Sequence, residues 1–343
     1  GGFGGGGGFN ANGGFGGGGG GYGGNGGFGG GGGALAGAHG VGGFGGGNAG
    51  GASGFHSASG GGAGMGGAVF VVDGGTLEIT GAGTLDASSV VGGPPGCCDV
   101  EGATAGQAFG AGVFLQGASG AIVFSPGAGA TFAIGDAIAD EAGSDPFAST
   151  NQRGITVGGD GTVVLYGTHA YAGPTTVTGA TLELDGTLAG PVALSGGTLD
   201  GTGSAASLSA SGGTIAPGTD AQPYATLHVD GDATLQGGST LHLRADANSN
   251  DSSRLAIIGQ ATLGGEVVVD FDGGAPAVGS LYPLLAAATI VGTFDGVALP
   301  DGVAGRLVYE GGNVELEITD GAIDAIFTDG FDAPPRRSGA IVR

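Results

Sequence analysis

Short apolar runs closed by glycine recur along residues 161–218. Each run is two to four residues long, is rich in Val, Leu, Ile and Thr, and ends at Gly, Gly–Pro or Asp–Gly. β-Branched and aliphatic residues suit a pleated strand, while glycine, proline and aspartate supply turns. Strands this short cannot bury a core alone, but stacked copies of them can, and the pattern therefore predicts a solenoid.

The alternation within these runs predicts which side chains face the core. The predicted strands are Val163–Tyr166, Thr175–Val177, Thr181–Leu184, Val192–Leu194, Thr198–Leu199 and Thr214–Ile215. Because side chains alternate between the two faces of a strand, one set of aliphatic residues should point inward. This set is Leu165, Val177, Leu182, Leu184, Leu194 and Leu199.

The same pattern divides the rest of the chain. Residues 68–150 are predicted to form further N-terminal rungs around a loop rich in Gly and Pro, and residues 151–318 the main solenoid. Its last strands, from Phe271 onward, should cover the open end of the stack. Residues 319–343 read as a C-terminal tail. The predicted fold class is all-β, a right-handed parallel β-helix or solenoid behind a glycine-rich N-terminal region.

Residues 1–67 form a glycine tract with evenly spaced apolar residues. Phe3, Phe9, Phe15, Tyr22, Phe28, Leu35 and Val41 follow one another at intervals of 6, 6, 7, 6, 7 and 6 residues. One interpretation is a flexible linker. The other is an ordered glycine layer of closely packed polyproline-II helices, in which three residues per turn place an aromatic on one side every second turn. A six-residue repeat could also be one face of a hexapeptide β-helix. In an assembly, Phe3, Phe9, Phe15, Tyr22 and Phe28 would contact a neighbouring subunit.

Charge and composition exclude several classes of partner. The chain has 7 basic and 30 acidic residues, a net charge of −23, and Gly 91 among its 343 residues. Nucleic-acid binding depends on neutralising phosphates, so no nucleic-acid partner is expected. No apolar run is long enough for a membrane-spanning helix, and the protein is expected not to span a membrane.

Two further features are candidates for contacts between subunits. Cys97 and Cys98 are adjacent and are the only cysteines, too few for a disulfide framework or a zinc site. They could pair with each other, bridge to another subunit, or have no role. Arg336 and Arg337 make the tail basic, so that it could dock on an acidic neighbour, or it could simply be a frayed terminus.

Part of the chain resembles the autotransporter-associated β-strand repeat of Gram-negative secreted proteins. The resemblance is carried by Gly161–Leu165, Thr168–Val177 and Gly179–Leu184, with His169 where the family usually has Asn, a change expected to weaken one turn hydrogen bond. It implies a passenger-type β-solenoid that is secreted or displayed at the cell surface.

The search for chemistry finds no catalytic constellation, no cofactor motif and no metal site. Asp136, Asp140 and Glu141 could bind a cation, but such carboxylates more often cap turns. The chain has no Lys, and its acids lie mostly in Asp–Gly turns rather than in the paired arrangement that acid–base catalysis needs. We therefore expect no enzyme activity, no cofactor and no metal.

The sequence favours a secreted or cell-surface structural protein acting in adhesion or self-association, as a filament subunit or against surface glycans. Two alternatives stay open. One is a polysaccharide-active β-helix enzyme. The other is a surface that binds ice or another crystal through ranks of threonine, although the chain intervals between the candidates look too irregular for a lattice. These candidates are Thr176, Thr181, Thr198, Thr214, Thr226, Thr234 and Thr240.

Overall fold

The computed structural model describes residues 4–51, 57–96, 101–145 and 149–320. In these residues a glycine-rich bundle at the N-terminus is followed by long parallel sheets stacked in register. The architecture is all-β and solenoid-like, with a single helical turn, α1 (Glu141–Ser144), among the described residues.

The glycine tract folds into a bundle of short extended segments. The segments are residues 5–8, 11–14, 17–20, 24–27, 30–33, 40–42 and 46–49, and we call them together the glycine bundle. Every third amide donates to the segment after next, as in Gly4 N to Phe15 O at 2.5 Å and Gly7 N to Gly18 O at 2.9 Å. Other amides bond the adjacent segment, such as Gly14 N to Gly5 O at 2.9 Å. This three-residue period is that of a polyproline-II-type helix.

The chain reverses direction after each aromatic residue of the bundle. The next residue there has a positive φ, as at Asn10 (55°), Gly16 (73°) and Gly29 (77°). The aromatics therefore do not lie along one side of a helix, which corrects that part of the polyproline-II interpretation. Because successive segments run in opposite directions, successive aromatics lie at opposite ends of the bundle.

Glycine is required inside the bundle because the segments touch backbone to backbone. A methyl group added at Gly17 would overlap the carbonyl oxygen of Gly5, and one at Gly30 would overlap that of Gly17. The loop rich in Gly and Pro joins the same network, since Gly93 N donates to Gly62 O and Gly106 N donates to Gly93 O. The short strands of this region are β1 (Ala34–Leu35), β2 (Ala38–His39), β3 (Gly50–Gly51), β4 (Ser57–Ala58) and β5 (Gly64–Met65).

Each turn of the chain contributes up to three strands to the parallel stack, one to each of three rows. The first turn, here called the first rung, is β6 (Val69–Val71), β7 (Leu77–Ile79) and β8 (Gly83–Leu85). The second part of the stack is β9 (Ala108–Phe109), β10 (Val113–Leu115), β11 (Ile122–Phe124), β12 (Thr131–Ile134), β13 (Ile138–Asp140), β14 (Ile155–Val157), β15 (Thr162–Leu165), β16 (Thr168–His169), β17 (Thr175–Val177), β18 (Thr181–Leu184) and β19 (Thr187–Leu188).

The rungs then lengthen toward the C-terminus. They comprise β20 (Val192–Leu194), β21 (Thr198–Gly201), β22 (Ser204–Ala205), β23 (Leu208–Ala210), β24 (Gly213–Pro217), β25 (Thr226–Val229), β26 (Ala233–Leu235), β27 (Ser239–Asp246), β28 (Arg254–Leu263), β29 (Glu266–Asp272), β30 (Leu281–Gly292), β31 (Gly296–Ala298), β32 (Ala304–Glu310) and β33 (Asn313–Asp320). Row 1 begins with β6 and β10, row 2 with β7 and β11, and row 3 with β8 and β12. The first strands of row 1, β6, β10 and β13, form a separate three-stranded sheet. The later strands of row 1, from β16 to β25, join row 2 through the long strand β28, which gives one sheet path of 12 strands, and row 3 gives a second of 9.

The inward set predicted for residues 161–218 is confirmed. Leu165, Val177, Leu182, Leu184 and Leu194 are fully buried, and Leu199 is 2% exposed. They belong to one continuous core that runs from Val71 to Ile318. Residues of like type stack on like in this core because the strands are in register, as where Val163 pairs with Leu182 and Leu182 with Leu199.

The last strands of the stack form an antiparallel hairpin. β33 pairs antiparallel with β30 and with β32, and we call β32–β33 the cap hairpin. Its residues Val314, Leu316 and Ile318 are at most 1% exposed, so its β33 side belongs to the core. Among the described strands, β7 and β8 at the N-terminal end and β31 and β32 at the C-terminal end each pair with one neighbour.

Candidate functional site

The aromatic residues of the glycine bundle fall into two groups with opposite surroundings. Phe15, Phe28 and Phe44 precede the turns at one end, which we call the base. Phe9 and Tyr22 precede the turns at the other end, where Leu35 also lies, and we call these three residues the tip. The sequence analysis treated Phe3, Phe9, Phe15, Tyr22 and Phe28 as equivalent contacts between subunits.

The base packs on the side of the strand stack. Phe15 and Phe28 stack with ring centroids 5.0 Å apart, and Phe28 and Phe44 with centroids 5.1 Å apart. Phe70 and Phe114 are register partners in row 1 and lie between inward-facing neighbours, so they point outward toward the base. Their rings lie 5.9 Å from Phe15 and 6.4 Å from Phe28, respectively. Phe114 is completely buried, which shows that the base covers this part of row 1.

The tip is exposed. Phe9 is 75% exposed, Tyr22 46% and Leu35 39%, and the Phe9 and Tyr22 rings contact each other at 5.1 Å. Because the base is docked and the segments run from base to tip, the bundle projects from the side of the stack and carries these side chains at its end. Backbone hydrogen bonds hold the turns in place, so the tip is a preformed apolar surface.

The bundle is electrically neutral next to an acidic stack. No Asp, Glu, Lys or Arg occurs before Asp73, whereas the whole chain carries a net charge of −23. Segment 5–8 also lies at the edge of the bundle, and within the described chain the amides of Gly5, Gly6 and Gly8 donate no backbone hydrogen bond. The tip and this edge can therefore be approached without the repulsion that surrounds the acidic stack.

The other predicted contact residues fall outside the described part of the chain. These are Phe3, Cys97, Cys98, Arg336 and Arg337. Their predicted roles at a subunit contact remain predictions.

A second site, an acidic pocket on row 3, was missed by the sequence analysis. Glu183 in β18 and Asp200 in β21 are register partners on adjacent strands, and both alternate with inward leucines. They line a cavity of about 460 Å³ together with Asp220, His242, Arg244 and the loop that follows β24. Glu183 and Asp200 are exceptions to the expectation that the acids lie mostly in Asp–Gly turns, because both stand in strands. The sequence signal for this pair was the repeated Thr–Leu–acid pattern, in Thr181–Leu182–Glu183 and again in Thr198–Leu199–Asp200.

Burial and neighbouring acids favour the protonated carboxyl groups in this pocket. Burial, with the nearby carboxylates of Glu183 and Asp185, raises the pKa of Asp200 to about 7. Burial and Asp185 also raise the pKa of Glu183. The Oδ1 atom of Asp200 is buried and has no hydrogen-bond partner. The pair therefore holds a proton close to neutral pH.

The basic residues of the pocket are already engaged by other acids. His242 Nε2 lies 2.8 Å from Asp270 Oδ2, and Arg244 donates to Asp272 Oδ2 at 3.1 Å. Arg244 also lies 3.6 Å from Asp220. Within the described residues no group of three or more His, Cys, Asp or Glu side chains is arranged to hold a metal ion.

The acidic cluster near α1 caps turns. Asp140 accepts hydrogen bonds from Gly143 N at 2.7 Å and Arg153 N at 2.8 Å, while Glu141 accepts from Gly117 N at 2.7 Å. Arg153 is almost completely buried and donates to the carbonyl groups of Val72 and Gln116, both at 3.0 Å. These contacts join adjacent rungs and favour the structural interpretation over a cation site.

His169 keeps a turn hydrogen bond that the sequence suggested would be weakened. Its Nδ1 accepts from Ile138 N at 3.3 Å. The imidazole is fully buried, and burial lowers its pKa to about 4. The ring is therefore neutral at physiological pH and belongs to the core rather than to a reactive site.

Threonines form regular ladders despite their irregular spacing in the chain. Thr131, Thr162, Thr181, Thr198, Thr214 and Thr240 are successive register partners on row 3. The argument that uneven intervals exclude a regular array is wrong, because loops of different length absorb the difference between rungs. On its own, the ladder does not identify a ligand.

Comparison with known proteins does not assign the chain to a family. No protein-family model matches the sequence, and no curated protein matches it significantly. Among the described residues, no helix is long and apolar enough to cross a membrane. Of the resemblance noted in the sequence, the structure therefore supports only the solenoid-like repeat of parallel strands.

Proposed function

We propose that the protein is a secreted or cell-surface structural protein that acts in adhesion and self-association, and that the tip of the glycine bundle is its contact surface. The observation that carries the proposal is the tip itself: two exposed aromatic rings in contact, on a neutral support that projects from an acidic body. The proposal includes a right-handed, passenger-type β-helix as the architecture. It also includes the cell surface of a Gram-negative bacterium as the location.

The physical case rests on what the exposed tip gains on contact. An isolated exposed apolar side chain is ordinary, but an aromatic pair held together on a rigid support offers apolar area without an ordering cost on binding. Burying a Phe side chain contributes roughly 1.5–3 kcal/mol. A second copy of the bundle is a suitable partner because it too is neutral and apolar, whereas a polyanion would meet the charge of the stack.

The edge of the bundle supports the same partner. Extended glycine segments pair through their backbone at every third residue, and within the described chain the amides of Gly5, Gly6 and Gly8 donate no backbone hydrogen bond. Another glycine segment has the matching geometry and no side chains to obstruct the approach. Tip contacts between copies would link acidic stacks into a larger assembly, such as an extracellular filament.

A paired substitution tests the proposal. Phe9→Ser with Tyr22→Ser removes the apolar tip without touching the base, and Ile258→Ser removes a side chain that is 69% exposed on the stack. We expect the tip variant to lose association in light scattering and adhesion to cells, while the Ile258 variant keeps both. Association and adhesion equal to those of the unmodified protein in the tip variant would contradict the proposal.

A further inference from the structure

An apolar groove lies where the glycine bundle meets the strand stack, and we call it the base groove. It has a volume of about 460 Å³, and none of the residues that line it is charged. Its larger side chains come from the base, from β5 and from the end of β6, and are Phe15, Phe28, Met65, Phe70 and Val72. Val72 is 42% exposed, so the groove opens to solvent.

The lining of the base groove suits an aromatic guest. Its walls include the rings of Phe28 and Phe70 and the thioether of Met65. Aromatic rings attract one another in offset or edge-to-face arrangements, and a thioether makes favourable contacts with a ring. An aliphatic guest would gain burial but neither of these contacts.

The tip keeps an aromatic side chain at a cost to its backbone. The turns at the base place glycine in the left-handed region, as at Gly16 (73°), Gly29 (77°) and Gly45 (69°). At the tip, Tyr22 itself has a φ of 68°. This region is unfavourable for a residue with a Cβ, and strain of this kind concentrates where a side chain has a function. Because the Tyr22 ring is 46% exposed, the chain itself satisfies only part of its surface.

A tip cannot enter the base groove of its own chain. The groove contains Phe15 and Phe28, whose turns lie at the opposite end of the bundle from the turns of Phe9 and Tyr22. One extended segment with its turns separates the two ends by about 15 Å, since a polyproline-II helix rises about 3.1 Å per residue. Backbone hydrogen bonds hold the segments in place. A contact between tip and base groove therefore needs two copies of the chain.

Charge favours the tip over the rest of a second copy as the guest. Asp73 directly follows Val72, and the stack beyond it is acidic, so an acidic surface that approaches the groove is repelled. The tip is uncharged, and no charged residue occurs before Asp73. Among the described surfaces of a like-charged copy, the tip thus combines exposed aromatic rings with the least repulsion.

We propose that the tip of one copy inserts into the base groove of another copy. The two tip rings then pack against Phe28, Met65 and Phe70. This inference rests on the proposed self-association and deepens it by naming the surface that receives the tip. The two surfaces differ, so the contact is heterologous, and each copy can offer its tip to one neighbour and its groove to another. Repetition of the contact links copies into a chain or closes them into a ring.

The area of the contact sets its strength. An aromatic side chain buries about 150–250 Å², so two rings and the groove walls that they cover bury roughly 600–1,000 Å² in total. Stable protein complexes bury about 1,200–2,000 Å². A single tip contact is therefore weak, and assembly requires high protein concentration.

Two variants that each lack one half of the contact test the proposal by sedimentation velocity on the full-length chain. The tip variant, Phe9→Ser with Tyr22→Ser, keeps its groove. The groove variant, Val72→Asp, keeps its tip, but an inserted ring would have to bury the new carboxylate. We expect each variant alone to be monomeric and an equimolar mixture to form one-to-one pairs and nothing larger. Ile258→Asp is the matched control, since it adds the same charge at a side chain that is 69% exposed on the stack, and it should assemble like the unmodified protein.

The single methionine of the chain reports on the groove directly. Met65 is the only Met, so methyl-labelled methionine gives one NMR signal. In the labelled tip variant, we expect this signal to shift when the unlabelled groove variant is added, because a ring placed against the methyl group changes its magnetic shielding. A copy that carries both sets of substitutions should cause no shift. The readout stays valid if Val72→Asp disturbs its own groove, since the labelled groove is unmodified.

The outcomes separate this inference from the proposed function. A groove variant that assembles like the unmodified protein, while the tip variant does not, would overturn the inference and leave the tip as a contact of another kind. A Met65 signal that shifts on Phe3→Ser but not on addition of a tip would assign the groove to the chain's own first residues and also overturn it. Unmodified protein that stays monomeric at every concentration would overturn the inference and the proposed self-association together.

Discussion

In the glycine bundle the interior is backbone, whereas in the strand stack the interior is side chains. Both regions fold short segments against one another, and both satisfy their amides mainly with neighbouring segments. The bundle achieves this by omitting side chains, so that carbonyl oxygens lie where a methyl group would be. The stack achieves it by aligning aliphatic residues in columns. The comparison shows that a repeat can be specified by the absence of side chains, as in the bundle, as well as by a pattern of apolar side chains, as in the stack.

The difference also explains which region carries contacts. A stack of rungs exposes one residue in two along each strand, and in this chain many of those residues are Thr, Ser, Asp or Glu. The bundle has few side chains, and its aromatic ones stand at its turns. One set of turns docks on row 1, and the opposite set is exposed.

Leu182→Ala should have the largest effect and is confined to the stack. Leu182 is fully buried between Val163 and Leu199 in its column. Removing its side chain leaves a cavity, with an expected loss of about 2–5 kcal/mol in the free energy of unfolding. Denaturant titration measures the loss, and Thr181→Ala, on the outward side of the same strand, should cost much less. Equal losses would contradict the inward assignment.

Gly17→Ala should disrupt the bundle and leave the stack folded. Its methyl group would overlap the Gly5 carbonyl oxygen, and we expect a cost of roughly 1–3 kcal/mol and loss of amide protection across residues 5–49. Gly18→Ala is the matched control, because the nearest atom to its methyl group, Gly31 O, is 3.6 Å away. Hydrogen exchange that is unchanged in both variants would show that the bundle interior is not backbone-packed.

Asp200→Asn should stabilise the stack at alkaline pH. The pKa of Asp200 is raised to about 7 in the folded protein, above its ordinary value of 3.8, so the folded state holds an extra proton between these values. Stability is therefore lost as pH rises toward 7. The asparagine variant should gain about 1–3 kcal/mol at pH 8 and little at pH 4. Asp301→Asn, on an exposed turn, serves as control; equal gains in both variants at pH 8 would refute the pairing of Glu183 with Asp200.

We expect the protein not to cleave polysaccharides. The pKa values of Glu183 and Asp200 are both raised, so both carboxyl groups are shifted toward the protonated form, and the nearby His242 and Arg244 are held by Asp270 and Asp272. Glycoside hydrolysis needs an ionised carboxylate together with a protonated acid, one on each side of the scissile bond. Incubation with neutral and acidic polysaccharides should release no oligosaccharides. Release that is abolished by Asp200→Asn would make the acidic pocket an active site.

The sequence predicted the stack better than the bundle for a physical reason. An inward leucine such as Leu182 is fixed by alternation within its own strand, which is local information. The direction of a glycine segment depends on turns, and the positive φ of Tyr22 is not favoured by its residue type. The even spacing of aromatics was visible, but their division between base and tip required the chain reversals.

The sequence analysis missed the acidic pocket because the register between strands depends on the length of a whole rung, loops included. Glu183 and Asp200 are 17 residues apart, and their carboxyl groups come together because the Thr–Leu pairs that precede them are aligned on adjacent strands. The same holds for Thr214 and Thr240, which are register partners despite a longer loop between them. Loop length conceals such neighbours from any argument that counts residues along the chain.

Electron microscopy of the full-length protein at high concentration tests the central claim most directly, namely that the bundle tip joins copies of this chain. The account predicts particles in which neighbouring stacks meet through their side projections. It further predicts unconnected stacks for the Phe9→Ser, Tyr22→Ser variant. Single, unconnected stacks at every concentration would contradict it.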